Sequence, residues 1–498
     1  MEEINSAETP GNLSDANTTL MGSFKDFLKK NSRFYLIYGN VLFFMVIIYI
    51  FVVPVFISNF YSYYFTTISQ IGYSIFFASM ILIYPYFGMY KKEIHDPKKF
   101  ILFMFIALTV VTILLDRLNI FMGRENFNFI WHYGQDYLNG VRSSAFTSEY
   151  YPFGSSLYFI FIYITNPGEN PLIYRLMTNC WGMGIYYMVY KISTIKELGI
   201  NRNKLANAFI YITISGIQLL FLLLAQKEDF FEVFLSLIGI YFTLKKRWFL
   251  SAFILVFCGF FKIYPFFWVA GMLILFLKQK DWRMFIKYAV NTIISGAILM
   301  SLEFIVEGDE ILKILFSFRW QFLEEPAIYN LNWGYYLSYF NIPGLNLLPS
   351  ILILCFFLVY AIKFTKKIDL NFFINSILIV LIFYSAVSYQ YLIWVIPLIG
   401  LNFVNNKRQY RKATFIYDII HVNALMLALS WFMLLGFQAQ LALQSDLDPG
   451  KLLVVLVTQL ILCIPLNVGF YLFIVLSNSA ENRYGFLLRL KRLKNSGK

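Results

Sequence analysis

The chain is 498 residues long, 59% hydrophobic and only 14% charged, with a formal net charge of +13 and a mean hydropathy of +0.64. A soluble domain carries roughly 25% charged residues, so these figures exclude a large soluble fold and predict an all-α, polytopic bundle of transmembrane helices. The positive charge forms no contiguous patch on a soluble segment, which argues against nucleic acid and for the bias of basic residues toward cytoplasmic loops.

Residues 1–34 are polar and mixed in charge, and read as a cytoplasmic tail. They lack the apolar core of a cleavable signal peptide. The short sequons at Asn12 and Asn17 carry little weight there. Apolar runs then recur at 35–57, 71–90, 100–116, 152–166, 171–190, 205–225, 229–244, 248–262, 263–278, 284–306, 347–365, 371–387, 391–404, 414–436 and 451–477. A crossing helix needs about 20 residues, so some runs are too short to span alone, and about thirteen crossings are expected. No repeat of solenoid period stands out. The division expected is a tail at 1–34, two extra helices within 35–99, a main module at 100–404, and further helices with a basic tail at 405–498.

Basic residues set the orientation. Lys25 to Arg33, Lys91 to Lys99, Lys245-Lys246-Arg247, Lys278 to Arg283, Lys363 to Lys367, Lys407 to Lys412 and Arg489 to Lys494 can all lie on the cytoplasmic side together. The opposite face then receives 117–151, 226–229, the Lys262 turn, 307–346, 388–391 and 437–450. Residues 152–204 resist this scheme, because two apolar runs would have to return the chain to a basic segment at Lys191 to Lys204. Either 152–166 is re-entrant, or Lys191 to Lys204 is outside and 205–225 is a short hairpin. The cysteines Cys180, Cys258, Cys355 and Cys463 all fall in apolar runs and read as small core residues, with neither zinc nor disulfide spacing.

Five polar segments interrupt the apolar pattern. The loop expected at 117–151 holds His132, Asp136, Tyr137, Glu149 and Tyr151, and Asp136 is the candidate general base if it reaches a substrate hydroxyl. A solvated loop acid is the plain alternative. Asp116, beside Arg117, reads better as a structural ion pair. The segment Ala225-Gln226-Lys227-Glu228-Asp229 is either a site element or an ordinary turn with a helix cap. Lys262, in Lys262-Ile263-Tyr264-Pro265, splits a long apolar stretch into two short helices and calls for an anion, unless it merely snorkels. The segment 307–346 carries Arg319 and Asn332-Trp333-Gly334, a mixture that suits a sugar face or an interfacial helix. The last segment, Ser388-Tyr389-Gln390-Tyr391-Leu392-Ile393-Trp394-Val395-Ile396-Pro397, opens a helix with aromatic residues.

In their order, these segments resemble the GT-C superfamily of integral-membrane glycosyltransferases, especially glycosyltransferase family 87 and the polyprenyl-phosphate-mannose-dependent mannosyltransferases. The residues that carry the resemblance are Asp136-Tyr137, Tyr151-Pro152-Phe153, Ala225-Gln226-Lys227-Glu228-Asp229, Lys262-Ile263-Tyr264-Pro265 and the segment from Ser388 to Pro397. It covers roughly 100–404. The chain departs from the family pattern at Phe153, Ala225 and Tyr389, where Pro, Gly and Pro are expected, and in its two preceding helices.

The resemblance implies an inverting transferase that moves a hexose from a polyprenyl-phosphate donor to a lipid-linked or glycan acceptor at the extracytoplasmic face. It implies Asp136 as proton acceptor, with Lys262 and Arg319 on the donor phosphate. It implies His132, Tyr137, Glu149, Tyr151, Gln226 and Glu228 as substrate contacts, along with Asp229, Asn332, Trp333, Tyr389 and Gln390. No cofactor is expected. No second acid lies near Asp136 in sequence, although a distant acid would complete a divalent-metal site. A transporter or lipid flippase is the alternative, and a structural membrane protein a third. A transporter should carry inverted repeats and midplane charges, whereas the polar groups here gather at one expected face.

Overall fold

The computed structural model describes residues 97–117, 124–141, 155–168, 170–200, 205, 208–209, 212, 229–308, 348–383, 389–404 and 474. Every regular element among them is helical. In chain order these are α1 (Pro97–Arg117), α2 (Arg124–Leu138), α3 (Ser155–Thr165), α4 (Pro171–Ser193), α5 (Asp229–Leu244), α6 (Trp248–Phe261), α7 (Tyr264–Lys278), α8 (Trp282–Glu307), α9 (Leu348–Val359), α10 (Leu370–Phe383) and α11 (Ile396–Val404). A π-helical turn, Tyr360–Phe364, extends α9, and a 3-10 helix, Tyr389–Trp394, precedes α11. The expected segments 1–34, most of 35–99, and 405–498 apart from residue 474 lie outside the described residues.

Among the described residues, two helices are long and apolar enough to cross a membrane, over Pro97–Leu114 and Trp282–Val306. At 1.5 Å per residue α8 is about 39 Å long. Both helices expose apolar side chains outward, with Phe103 68%, Ile293 69% and Ile305 78% accessible. The shorter apolar helices α5, α6, α7 and α10 bury more of their surface. α10 buries residues from Leu370 to Ile382 almost without a break, as a helix apolar on every side must do when other helices surround it.

The packing follows from short connections. α5 and α6 form an antiparallel hairpin: Thr243 and Ser251 share a hydrogen bond of 2.6 Å at one end, and Asp229 and Lys262 meet at the other. α6 and α7 form a second hairpin with Lys262 at its tip. Phe260 meets Phe266 at the tip, and Trp248 meets Phe276 at the far end. A Cβ on Gly259 would lie 2.7 Å from the Phe266 ring, so this close return needs glycine. Tyr288 near the start of α8 joins Trp248 and Phe276. α4 runs parallel to α5, with Trp181 against Phe231 and Gly184 against Phe234.

These contacts define two ends of the bundle. One end carries Asp229, Lys262 and the 3-10 helix. The other carries Lys245-Lys246-Arg247, Lys278 and the turn after α9, where the Lys278 ammonium donates to Thr365 O at 2.8 Å. Lys191 lies within electrostatic reach of Tyr241, which places it at this basic end too. α3 is only 11 residues long, about 16 Å, and it stays at the Lys262 end, with Tyr158 near its start and Asn166 at its close both packed on the first half of α4. α4 alone runs from there to the basic end.

Three expectations change. The stretch around Asp136 is part of helix α2, whose Phe127, Ile130, Trp131, Gly134 and Tyr137 recur at helical spacing and are buried. Asp116 pairs with Arg175 on α4 at 2.8 Å, because α1 packs antiparallel to α4, so its partner is not the adjacent Arg117. Of the cysteines, Cys258 is buried, but Cys180 and Cys355 are exposed, since a residue in an apolar run lies outside the core wherever its helix face has no neighbouring helix. Cys463 lies outside the described residues.

Candidate functional site

The break between α6 and α7 creates the site. Pro265 can occupy only the first turn of a helix without losing a backbone bond, so α7 starts at Tyr264, with the proline at its second position. Lys262 is left just outside α6 with extended backbone, φ −144° and ψ 136°, its N–H still donating to Cys258 O at 2.7 Å. The Lys-x-x-Pro spacing therefore places an ammonium at a hairpin tip.

Opposite it, α5 opens with Asp229. A carboxylate at a helix N-terminus meets the partial positive charge of unpaired N–H groups. Asp229 Oδ1 lies 3.7 Å from Lys262 Nζ, with the aspartate side chain 1% exposed and the lysine 12%. The 3-10 helix completes the wall. In such a helix residues i and i+3 eclipse, so Tyr391 and Trp394 stack with ring centres 4.2 Å apart. The Tyr391 ring lies under Lys262 Nζ at 5.5 Å, a cation–π contact. The Trp394 Nε1–H donates to Asp229 Oδ1 at 3.1 Å.

A second buried carboxylate lies one turn along α5. Glu232, 1% exposed, accepts from Tyr264 Oη and from Ser236 Oγ, both at 2.8 Å. Tyr264 in turn stacks on Trp394 with ring centres 4.3 Å apart. The centre thus holds one ammonium, two carboxylates and three stacked rings. Lys262 is the more exposed member of the pair, 12% against 1% for Asp229, and its ammonium carries three donors.

Asp136 is half-buried on α2, and among the described residues no hydrogen bond or ion pair joins it to Lys262 or Asp229. Their chain neighbours do share one buried cluster: Tyr137 and Phe261 both belong to it. Tyr158 of α3 stitches that cluster together, 5.3 Å from Phe261 and 5.0 Å from Phe231. Gly134, one turn before Tyr137, lets α2 press on the α3 backbone, where a Cβ would land on the Phe159 carbonyl. His132 is exposed beside Trp131.

The structure thus brings together Asp229 and Lys262 of the expected residues, with Tyr391 and Trp394 from the late aromatic segment. Tyr389 and Gln390 begin the 3-10 helix, but their side chains lie outside the described residues. Glu149, Tyr151, Gln226, Glu228, Arg319, Asn332 and Trp333 lie outside them as well. Sequence reasoning passed over Glu232, whose i, i+3 spacing from Asp229 puts both acids on one helix face. It also passed over Glu303, an acid within an apolar run that is 3% exposed and accepts a hydrogen bond from Ser156 Oγ. The rarity of acids inside apolar spans was the signal for both. Among the described residues, no group of three or more His, Cys, Asp or Glu is placed to share a metal ion.

No family model matches the chain, and no curated protein matches it.

Proposed function

We propose that the chain is a multi-pass membrane glycosyltransferase that moves a hexose from a polyprenyl phosphate to a lipid-linked or glycan acceptor. In this reading the Lys262 end faces the extracytoplasmic side and the basic end faces the cytoplasm. The acceptor oxygen attacks the anomeric carbon from the face opposite the phosphate, and its proton passes to the Asp136 carboxylate. The bond from the anomeric carbon to the phosphate oxygen breaks, and the polyprenyl phosphate leaves with an additional negative charge. Lys262, joined by Arg319, neutralises that charge as it develops, which is the general logic of electrostatic catalysis.

The observation that carries the proposal is the meeting of three segments, far apart in sequence, at one point: Asp229 of the second segment, Lys262 of the third, and Tyr391 with Trp394 of the last. A charged pair buried among apolar helices is costly, and retention of such groups is characteristic of sites. The broken α6–α7 stretch favours a second reading as a transporter or lipid flippase, because transporters also place charges at helix breaks.

The test is transfer by purified protein from labelled polyprenyl-phosphate sugars into a membrane lipid extract. Asp136→Asn should lower transfer by about 10²–10⁴-fold, the usual contribution of a general base, in a protein that stays folded. Lys262→Ala should raise the donor requirement more than the acceptor requirement. Transfer at the wild-type rate in Asp136→Asn would remove that residue from the chemistry. Uptake or scrambling of lipid by reconstituted vesicles without any transfer would select the transporter reading.

A further inference from the structure

Glu232 needs an explanation that anion binding by Lys262 does not supply. It is a carboxylate with 1% exposure inside an apolar helix pair, and a carboxylate there costs free energy that an apolar side chain would not. Both its oxygens accept hydrogen bonds, from Ser236 on its own helix and from Tyr264 across the hairpin. The Tyr264 bond is the informative one. It fixes the hydroxyl of a ring that stacks on Trp394, and the Trp394 N–H is aimed at the same Asp229 oxygen that faces Lys262. Tyr391 stacks on that indole too, and its face meets the Lys262 ammonium. The position of one indole therefore sets both the counter-ion and the aromatic partner of Lys262. A shift of the indole moves the two together.

We propose that Glu232 is a positioning residue for the anion site, acting through Tyr264 and Trp394 on Asp229 and so on the Lys262 ammonium. This rests on the reading of Lys262 as a phosphate anchor. The simpler role, a tie between α5 and α7 that only holds the bundle together, makes a different prediction, because it would affect stability and not the affinity for an anion.

The experiment is binding of a sugar-free polyprenyl phosphate to the full chain in detergent micelles, with the corresponding polyprenol as the uncharged control. Wild type should bind the phosphate and not the alcohol, and Lys262→Ala should abolish the difference. Glu232→Gln keeps the shape, and Tyr264→Phe keeps the ring while removing the hydroxyl. Each should weaken phosphate binding by about 10-fold, and the double variant should be no weaker than either single one, as expected for residues that act in one chain of contacts. Thr243→Val removes a buried hydroxyl at the far end of the same hairpin, and should lower stability without moving the affinity. Wild-type affinity in Glu232→Gln and Tyr264→Phe, with Lys262→Ala still defective, would overturn the role of Glu232 and leave the anchor intact. Equal loss in Thr243→Val, or losses that simply add in the double variant, would reduce Glu232 to a structural tie. Failure of wild type to bind the phosphate would remove the anchor itself.

Discussion

Removing both halves of the Asp229–Lys262 pair should destabilise the protein by less than the two single losses added together. The charges are 3.7 Å apart. With an effective dielectric constant of about 20, their attraction is about 4 kcal/mol, set against the cost of taking both groups out of water. Lys262→Met takes the ammonium away from the Asp229 carboxylate, which is 1% exposed and accepts from the Trp394 N–H. That variant should lose about 3–5 kcal/mol. Asp229→Asn leaves an ammonium that is 12% exposed and can reach toward water, so its cost should be smaller, about 2–3 kcal/mol. The double variant removes both charges and should cost about 2–3 kcal/mol less than the two single losses added. Sodium dodecyl sulfate titration in mixed micelles, followed by circular dichroism, measures all four proteins on one scale. Costs that add within about 0.5 kcal/mol would show that the two side chains do not interact.

Other perturbations test the packing around the site. Gly134→Ala should destabilise by about 1–3 kcal/mol despite alanine's better helix propensity, because the new Cβ strikes the Phe159 carbonyl and lies 2.7 Å from Tyr163 Cβ. A more stable variant in the same titration would refute the α2–α3 contact. Asp116→Ala withdraws the carboxylate from Arg175, which is 3% exposed, and should cost about 3–5 kcal/mol, much of it recovered by Asp116→Ala with Arg175→Met. An unchanged unfolding midpoint in the single variant would contradict that pairing. Trp394→Phe keeps an aromatic ring but loses the N–H to Asp229, and should cost about 1.5–3 kcal/mol, read by the same titration as a drop that disappears in the Asp229→Asn background.

The helical class was legible from the spacing of apolar residues alone, and so was the break at Lys262, because a lysine followed by a proline three residues on cannot continue an apolar helix. The helix around Asp136 was not legible as such. Its polar and aromatic composition hides a face of Phe127, Ile130, Trp131 and Tyr137 whose partner is α3, a short element that the length rule for spanning helices treats as incomplete. Glu232 escaped notice because Asp229 beside it drew the polar reading to the helix start. Asp116 was matched with its neighbour in sequence, whereas its partner is 59 residues away.

What sequence by itself determined is local: most of the helical segments, the break at Lys262, and the alternation of basic residues with apolar runs. Those properties follow from periodicity and from backbone geometry, which act over a few residues. Only the tertiary structure decided which charges meet. Trp394 reaches Asp229 across 165 residues because close helix returns, such as Gly259 against Phe266 and Gly239 against Leu255, bring α5, α6 and the 3-10 helix to one point. A charge has no intrinsic partner along the chain. Its partner is whichever group packing carries into reach once water has been excluded, and that selection belongs to the fold as a whole.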